Sequence, residues 1–278
     1  MSREPQSETA MTNSATESWR LIVDSHRSGA MQMALEEVAA ETAATGGPWT
    51  VRVYSWDSTL SLGYRQDIAT VDRAYCDRNE IAVTRRPTGG GGIYHDAYGD
   101  ISYSVVAPED AFPSDLMTCY EQLCQPVLAG FEQMGVPAAF AERDHESIHE
   151  PSCYLRGINP AHDIVVGERK ISGNAQYRQR EAVIQHGSLS YALTPERHTG
   201  AFAADLSPAT FTDRVTAIAA ETTLDRTAAV ETLASTLGEW ADATDGGWTD
   251  AELDQARRLA ENKYAADAWV ADRTDPTD

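Results

Sequence analysis

Lysine is almost missing from this 278-residue chain. Of 22 basic residues only Lys170 and Lys263 are lysines, against 43 acidic residues and a formal net charge of −21. That balance argues against nucleic acid as a partner, because neutralising phosphates needs a basic face. An acidic surface nearly free of lysine suits concentrated salt, where screening over roughly 3 Å at molar ionic strength leaves little self-repulsion. An ordinary acidic protein is the alternative. No run approaches the roughly 20 apolar residues of a membrane span. The four cysteines (Cys76, Cys119, Cys124 and Cys153) show no CxxC spacing, so neither a zinc site nor a disulfide framework is expected. Cys119 and Cys124 fall in a helical segment and read as core thiols. Residues 1–18 are polar, with no apolar stretch, and are expected to be a disordered leader rather than a signal peptide. Residues 271–278 read as a disordered tail. On these features the protein is expected to be cytoplasmic, without membrane contact.

What is present is enough for a core: 42% of the residues are hydrophobic. Residues 30–42 have helical spacing, and residues 49–56 alternate as a strand does. Residues 60–63, 81–86 and 100–107 read as further strands, the last two flanking a glycine-rich connection. Residues 114–134 form a long amphipathic helix. Residues 163–166, 169–177 and 182–191 read as consecutive antiparallel strands. From residue 207 onward the chain is mostly helical, ending in residues 249–269. Strands in the middle and helices at the ends indicate α+β rather than alternating α/β.

Two constellations carry chemistry. The first is Arg85-Arg86-Pro87-Thr88-Gly89-Gly90-Gly91-Gly92-Ile93-Tyr94-His95-Asp96. Four consecutive glycines lose much backbone entropy on folding. They make sense where phosphates or an acyl chain approach the backbone closely, and Arg85 and Arg86 could clamp an anion. The spacing is neither GxxxxGK[ST] nor GxGxxG, and a flexible hairpin turn is the plain alternative. The second runs from Asp163 to Gln176. Lys170 opens a strand whose small residues Ser172, Gly173 and Ala175 leave space beside it. Strict alternation puts Lys170, Ser172 and Asn174 on one face, a set suited to an anionic ligand. The alternative is an exposed strand-end lysine, which its rarity here weighs against. A third segment, Gln185-His186-Gly187-Ser188-Leu189, carries a histidine that reads first as a hydrogen-bonded core residue.

Together these segments resemble the lipoate–protein ligase A family, within the group that includes biotin ligases and octanoyltransferases. The glycine run resembles the family's RRxSGGGxVxHD loop, with Thr88 at the usual Ser and Ile93 at the usual Val. Residues 168–176 resemble its GxKISGxA element, whose lysine falls on Lys170. Residues 185–189 are similar to its HGTLL strand, residues 33–38 to a helix near its start, and residues 262–269 to its closing KYxxxxW element, which accounts for Lys263. The resemblance covers residues 19–269, and the expected domain is 19–270 with a helical C-terminal segment. It implies a mixed, largely antiparallel sheet flanked by helices, like the catalytic domain of biotin ligases and class II synthetases.

The resemblance also implies chemistry. An ATP-dependent ligase would activate lipoate or octanoate with Mg2+-ATP as an acyl-adenylate. It would then pass the acyl group to one lysine of a lipoyl domain of a 2-oxoacid dehydrogenase complex, or of the glycine-cleavage H protein. In that reading Lys170 stabilises charge on the carboxylate and α-phosphate, and the backbone of Gly89, Gly90, Gly91 and Gly92 cradles the acyl group. Asp163 positions the adenylate or its metal, while His95, Ser172, Gly173, Asn174 and His186 complete the site. Two departures bear on this. The chain has no room for the accessory domain of the larger ligases, and so resembles the catalytic-domain-only form that works with a small separate accessory subunit. Cys153 lies near where octanoyltransferases of the group place a nucleophile that takes the acyl group from acyl carrier protein without ATP. Those enzymes usually carry an arginine where this chain has Gly91, and on that ground the ligase is the preferred expectation. The Cys153 octanoyl or lipoyl transferase is the alternative, and a non-catalytic lipoate- or biotin-binding module is the third.

Overall fold

A computed structural model describes residues 18–158 and 162–277; the expected leader lies outside them but for its last residue. The chain runs through β1 (Trp19–Val23), α1 (Gly29–Ala44), β2 (Trp49–Tyr54), β3 (Thr59–Leu62), α2 (Arg73–Arg78), β4 (Ala82–Arg85), β5 (Ile93–His95), β6 (Asp100–Pro108) and α3 (Leu116–Gln133). It continues through β7 (Ala139–Phe140), β8 (Asp163–Val166), β9 (Arg169–Gln179), β10 (Ala182–Ser190), α4 (Pro195–Gly200), α5 (Pro208–Arg214), α6 (Ile218–Glu221), α7 (Arg226–Ala241), β11 (Thr244–Asp245), α8 (Asp250–Leu259) and α9 (Asp267–Val270).

Eight strands form one sheet in the order β11-β1-β2-β6-β10-β9-β8-β7, and β4-β3-β5 form a small second sheet. Pairing is parallel across β11, β1 and β2 and antiparallel from β2 onward. This is the mixed, largely antiparallel α+β architecture expected. Alternation along β6 sends Ile101, Tyr103 and Val105 into a core with Cys119, Leu123 and Val127 of α3 and Leu233 and Leu237 of α7. The opposite face receives α1, whose Ala39 and Ala40 pack on Val106 and Ile184. Helix α1 is covered in turn by α8 and the chain after it, through Ala256, Tyr264 and Trp269. Burial on nearly all sides explains why twelve of its sixteen residues are buried, Glu36 and Glu37 among them.

Those two carboxylates have separate partners. Glu37 accepts from Lys263 Nζ at 3.0 Å and from Tyr264 Oη at 2.7 Å. Lys263 also meets Asp275 at 2.6 Å, so the stretch expected to be a loose tail is tied to a buried cation. Lys263 is therefore spent holding the C-terminal segment on α1.

A register shift between Ile164 and Val165 interrupts the β8–β9 ladder: Asp163 opposes Gly173 and Ile164 opposes Ser172, yet Val165 opposes Lys170. Ile171 is the extra residue of a bulge, which breaks strict alternation. Ile171 enters the α3 core, and Lys170 turns to the face of Gly173 rather than that of Ser172. A Cβ on Gly173 would lie 3.4 Å from Lys170 Nζ. The expected grouping of Lys170 with Ser172 and Asn174 is thereby corrected.

Candidate active site

The Lys170 strand, the glycine loop and the segment around Cys153 meet at a cavity of about 350 Å3 lined by residues of β9, β10 and β5. Lys170 is only 2% exposed. Its Nζ lies 2.7 Å from Asp163 Oδ1, donates to the Cys153 carbonyl at 3.1 Å and sits 3.7 Å from Cys153 Sγ. Burial alone would depress this ammonium; the Cys153 sulfur and the Asp163 carboxylate outweigh it and hold the group above its ordinary value. Lys170 is thus kept charged beside a sulfur. Cys153 is half-buried and lines the cavity, whereas Cys76, Cys119 and Cys124 are buried. Burial pushes the Cys76 thiol up to about 11 and Cys124 to about 12, and raises Cys119 as well.

The glycine loop does something other than cradle a ligand along its whole length. Gly92 N donates to Pro151 O at 2.7 Å, and Cys153 N donates to Gly92 O at 2.9 Å. A Cβ on Gly91 would stand 2.7 Å from Cys153 N and 2.9 Å from Pro151 O. Gly91 and Gly92 therefore form the seat on which the Cys153 segment rests. Gly89 and Gly90 face the cavity instead, and Gly90 adopts φ +92°, a conformation cheap only for glycine.

The two arginines ahead of the loop build it rather than receive a ligand. Arg86, 4% exposed, donates to Ser61 O and Oγ, to Gly89 O and Gly91 O, and to Thr88 Oγ1. Arg85 is fully buried, gives its donors to the carbonyls of Gly63, Tyr64, Gln66 and Val270, and does not line the cavity. The expected anion clamp is corrected: with Arg85 turned to carbonyls, and Arg86 to carbonyls and the hydroxyls of Ser61 and Thr88, both guanidiniums are engaged by the protein itself.

Two histidine–carboxylate pairs underpin the same loop. His186 Nδ1 lies 2.8 Å from Glu36, which also accepts from Tyr54 Oη, and His186 Nε2 lies 3.0 Å from Thr88 Oγ1. Burial would raise the Glu36 carboxyl, but His186 and Arg52 outweigh it and lower it. His95 Nδ1 lies 3.2 Å from Asp100 and its Nε2 2.8 Å from Ser61 Oγ, with the ring stacked on Trp56 at 4.0 Å. Burial holds His95 below its ordinary value. Asp100 also accepts from Ser102 and Ser188. Both histidines line the cavity while their nitrogens are occupied.

Ser172 is fully buried away from the cavity lining. Asn174 touches the cavity, but its amide is held by Tyr103 Oη and the His162 carbonyl. Glu36, Ser61, Thr88, Asp100 and Arg156 belong to the site or its support and were not singled out as such from sequence. A signal existed for Glu36, an acid among apolar residues on a helix matched to the family. Asp100 had none beyond opening a strand.

The family model for the lipoyl protein ligase A/B catalytic domain matches residues 28–239. The chain belongs to this family. It is 30% identical over 279 residues to octanoyltransferase LipM of Anoxybacillus flavithermus, covering 91% of this chain and 98% of that one. It is 35% identical over 192 residues to octanoyltransferase LipM of Geobacillus kaustophilus, covering 66% and 68%. A crystal structure of lipoate-protein ligase A bound with ATP superposes with a TM-score of 0.77 at 23% identity, covering 91% of this chain and 98% of that one. At that identity the likeness shows the fold. Both of these sequence relatives are named octanoyltransferases, which backs the transferase alternative better than the ligase expectation. Among the described residues no helix is long and apolar enough to cross a membrane.

Proposed function

We propose that this protein transfers an octanoyl or lipoyl group to a lysine of a lipoyl carrier domain through a thioester on Cys153, without ATP. The observation that carries this is the Lys170 ammonium held 3.7 Å from Cys153 Sγ at the acyl-sized cavity. A fixed cation beside the sulfur can stabilise the negative charge that builds as the thioester forms and breaks. In the first step Cys153 sulfur attacks the carbonyl of an acyl thioester. The Cys153 S–C bond forms, the donor's C–S bond breaks, and the donor leaves as a thiol carrying the Cys153 proton. In the second, the amine of the carrier lysine attacks the Cys153 thioester. The N–C bond forms, the S–C bond breaks, and the amine proton restores the thiol. The thioester already holds the activation that an adenylate would supply.

The residues present fit a nucleotide triphosphate poorly. Arg85 and Arg86, the nearest candidates for its phosphates, are engaged by carbonyls and, for Arg86, by the Ser61 and Thr88 hydroxyls, and Asp163, the expected metal ligand, is paired with Lys170. The acceptors in this reading are lipoyl domains of 2-oxoacid dehydrogenase complexes or the glycine-cleavage H protein.

The test supplies an apo lipoyl domain with either octanoyl-carrier protein alone or octanoate, ATP and Mg2+. Modification of the lysine is expected with the thioester alone, lost in Cys153→Ala and lowered about a hundredfold or more in Lys170→Ala. Modification that needs ATP, and survives in Cys153→Ala, would overturn the reading.

A further inference from the structure

A second depression adjoins the acyl cavity across the glycine loop. It is a groove of about 430 Å3 whose walls include Arg65, Gln66, Gly89, Gly90, Glu150 and Arg156. Gly89, Gly90 and Arg156 line both spaces, so the groove and the cavity meet at the loop beside Cys153. Gly90 lies between two guanidiniums: a Cβ there would stand 3.7 Å from Arg86 and 3.6 Å from Arg156. Arg86 is buried and its donors are taken by carbonyls and hydroxyls of the protein, whereas Arg156 is 37% exposed and meets only Glu150, at 3.6 Å, among the ion pairs of the described residues.

We infer that this groove receives the thiol-bearing arm of the acyl donor, with Arg156, and Arg65 at the rim, taking the phosphate at the far end of a phosphopantetheine. The inference rests on the thioester reading above and adds the donor's binding site to it. A thioester attacked at Cys153 has two ends pointing opposite ways. If the acyl chain fills the cavity, the arm must leave by another opening, and the groove is one that reaches the loop next to the nucleophile. Its size is that of ligand pockets in general.

Charge agrees with this placement. On a chain of net charge −21, an anionic arm is repelled by most of the surface, and two arginines at one opening are a local exception. The carboxylates nearby are committed or weakly held. Asp67 caps the turn after Arg65 by accepting from Ala69 N. The Glu150–Arg156 pair is exposed on both sides, 67% and 37%, where such pairs contribute little. A phosphate binding Arg156 in bidentate fashion displaces it readily.

The test measures acyl-Cys153 formation by the full chain with octanoyl-phosphopantetheine and with octanoyl-N-acetylcysteamine, which has no phosphate. The readout is the ratio of KM for the phosphate-free donor to KM for the phosphate-bearing one. Arg156→Gln is expected to collapse that ratio by about 10- to 100-fold, the worth of a charge-assisted contact; Arg156→Lys should recover part of it, and Glu150→Gln should increase it. Arg73→Gln, an exposed arginine paired with Asp267, controls for net charge and should leave the ratio at the wild-type value. A ratio that Arg156→Gln does not move would overturn the inference. Octanoyl-coenzyme A and octanoyl-carrier protein, run alongside, identify the source of the arm by their kcat/KM. Wild-type protein acylated by none of these thioesters would remove the thioester reading itself, and this site with it.

Discussion

Gly89 and Gly91 lie two residues apart in one run, yet they have opposite surroundings. A Cβ on Gly89 meets nothing within 4 Å, whereas one on Gly91 meets the backbone of the Cys153 segment at 2.7 Å. Gly89→Ala is therefore expected to fold normally, within about 0.5 kcal/mol of the parent. Gly91→Ala must displace the Cys153 segment, and on the thioester proposal kcat for acyl transfer should fall by at least about tenfold, given how steeply rate depends on placement of the reacting groups. Equal kcat and Tm in the two variants would contradict this. The same scale shows what the sequence could and could not disclose. Lys170 was legible because lysine is nearly absent, and its neighbour Gly173 because the strand is rich in small residues. Ser172 was assigned to the wrong face, since a bulge at Ile171 leaves no mark in an alternating pattern. Arg85 was misread for a different reason. A motif shows that a guanidinium is near a loop but not that its donors end on the carbonyls of Gly63 and Val270.

Among elements, α8 depends on a sequence-local device joined to a distant partner. Thr249 and Glu252 form a capping box, which satisfies otherwise orphaned N–H groups. Glu252 also receives both ends of the Arg20 guanidinium, at 2.6 and 3.0 Å. Burial would raise this carboxyl, but Arg20 and Thr249 outweigh it and lower it to about 2. The unfolded carboxyl titrates near ~4.3, so the pair's contribution is complete above that value and fades as pH falls towards 2. Glu252→Gln should cost about 3 kcal/mol at pH 7, with a Tm difference from the parent that narrows at pH 3. A difference independent of pH would contradict the assignment. Long elements were legible: α1, α3, β6 and β10 lie within a few residues of their expected limits. Strands β5, β7 and β11 were not; they have two or three residues each, too few for a periodicity to register. β5 was further hidden inside the motif read as a glycine-rich connection.

For the whole molecule, the net charge of −21 sets a condition on every measurement. Screening shortens from about 10 Å at 0.1 M salt to about 3 Å at 1 M, so self-repulsion of the folded state should relax across that range. Tm is expected to rise through a KCl series between those concentrations, and a flat or falling Tm would show that the acidic surface is not limiting. The fold class could be argued from the grouping of strands and helices because the core is patterned conventionally. The choice between ligase and transferase could not be, because the proposal rests on a cysteine and a lysine 17 residues apart sharing a cavity, a matter of tertiary approach. That choice has a direct measurement. The full chain is incubated with an octanoyl thioester in the absence of ATP and acceptor, and its intact mass is read before and after hydroxylamine. One octanoyl group is expected, located on Cys153, removed by hydroxylamine and absent from Cys153→Ala. An unmodified protein, or an adduct that persists in Cys153→Ala, would contradict it.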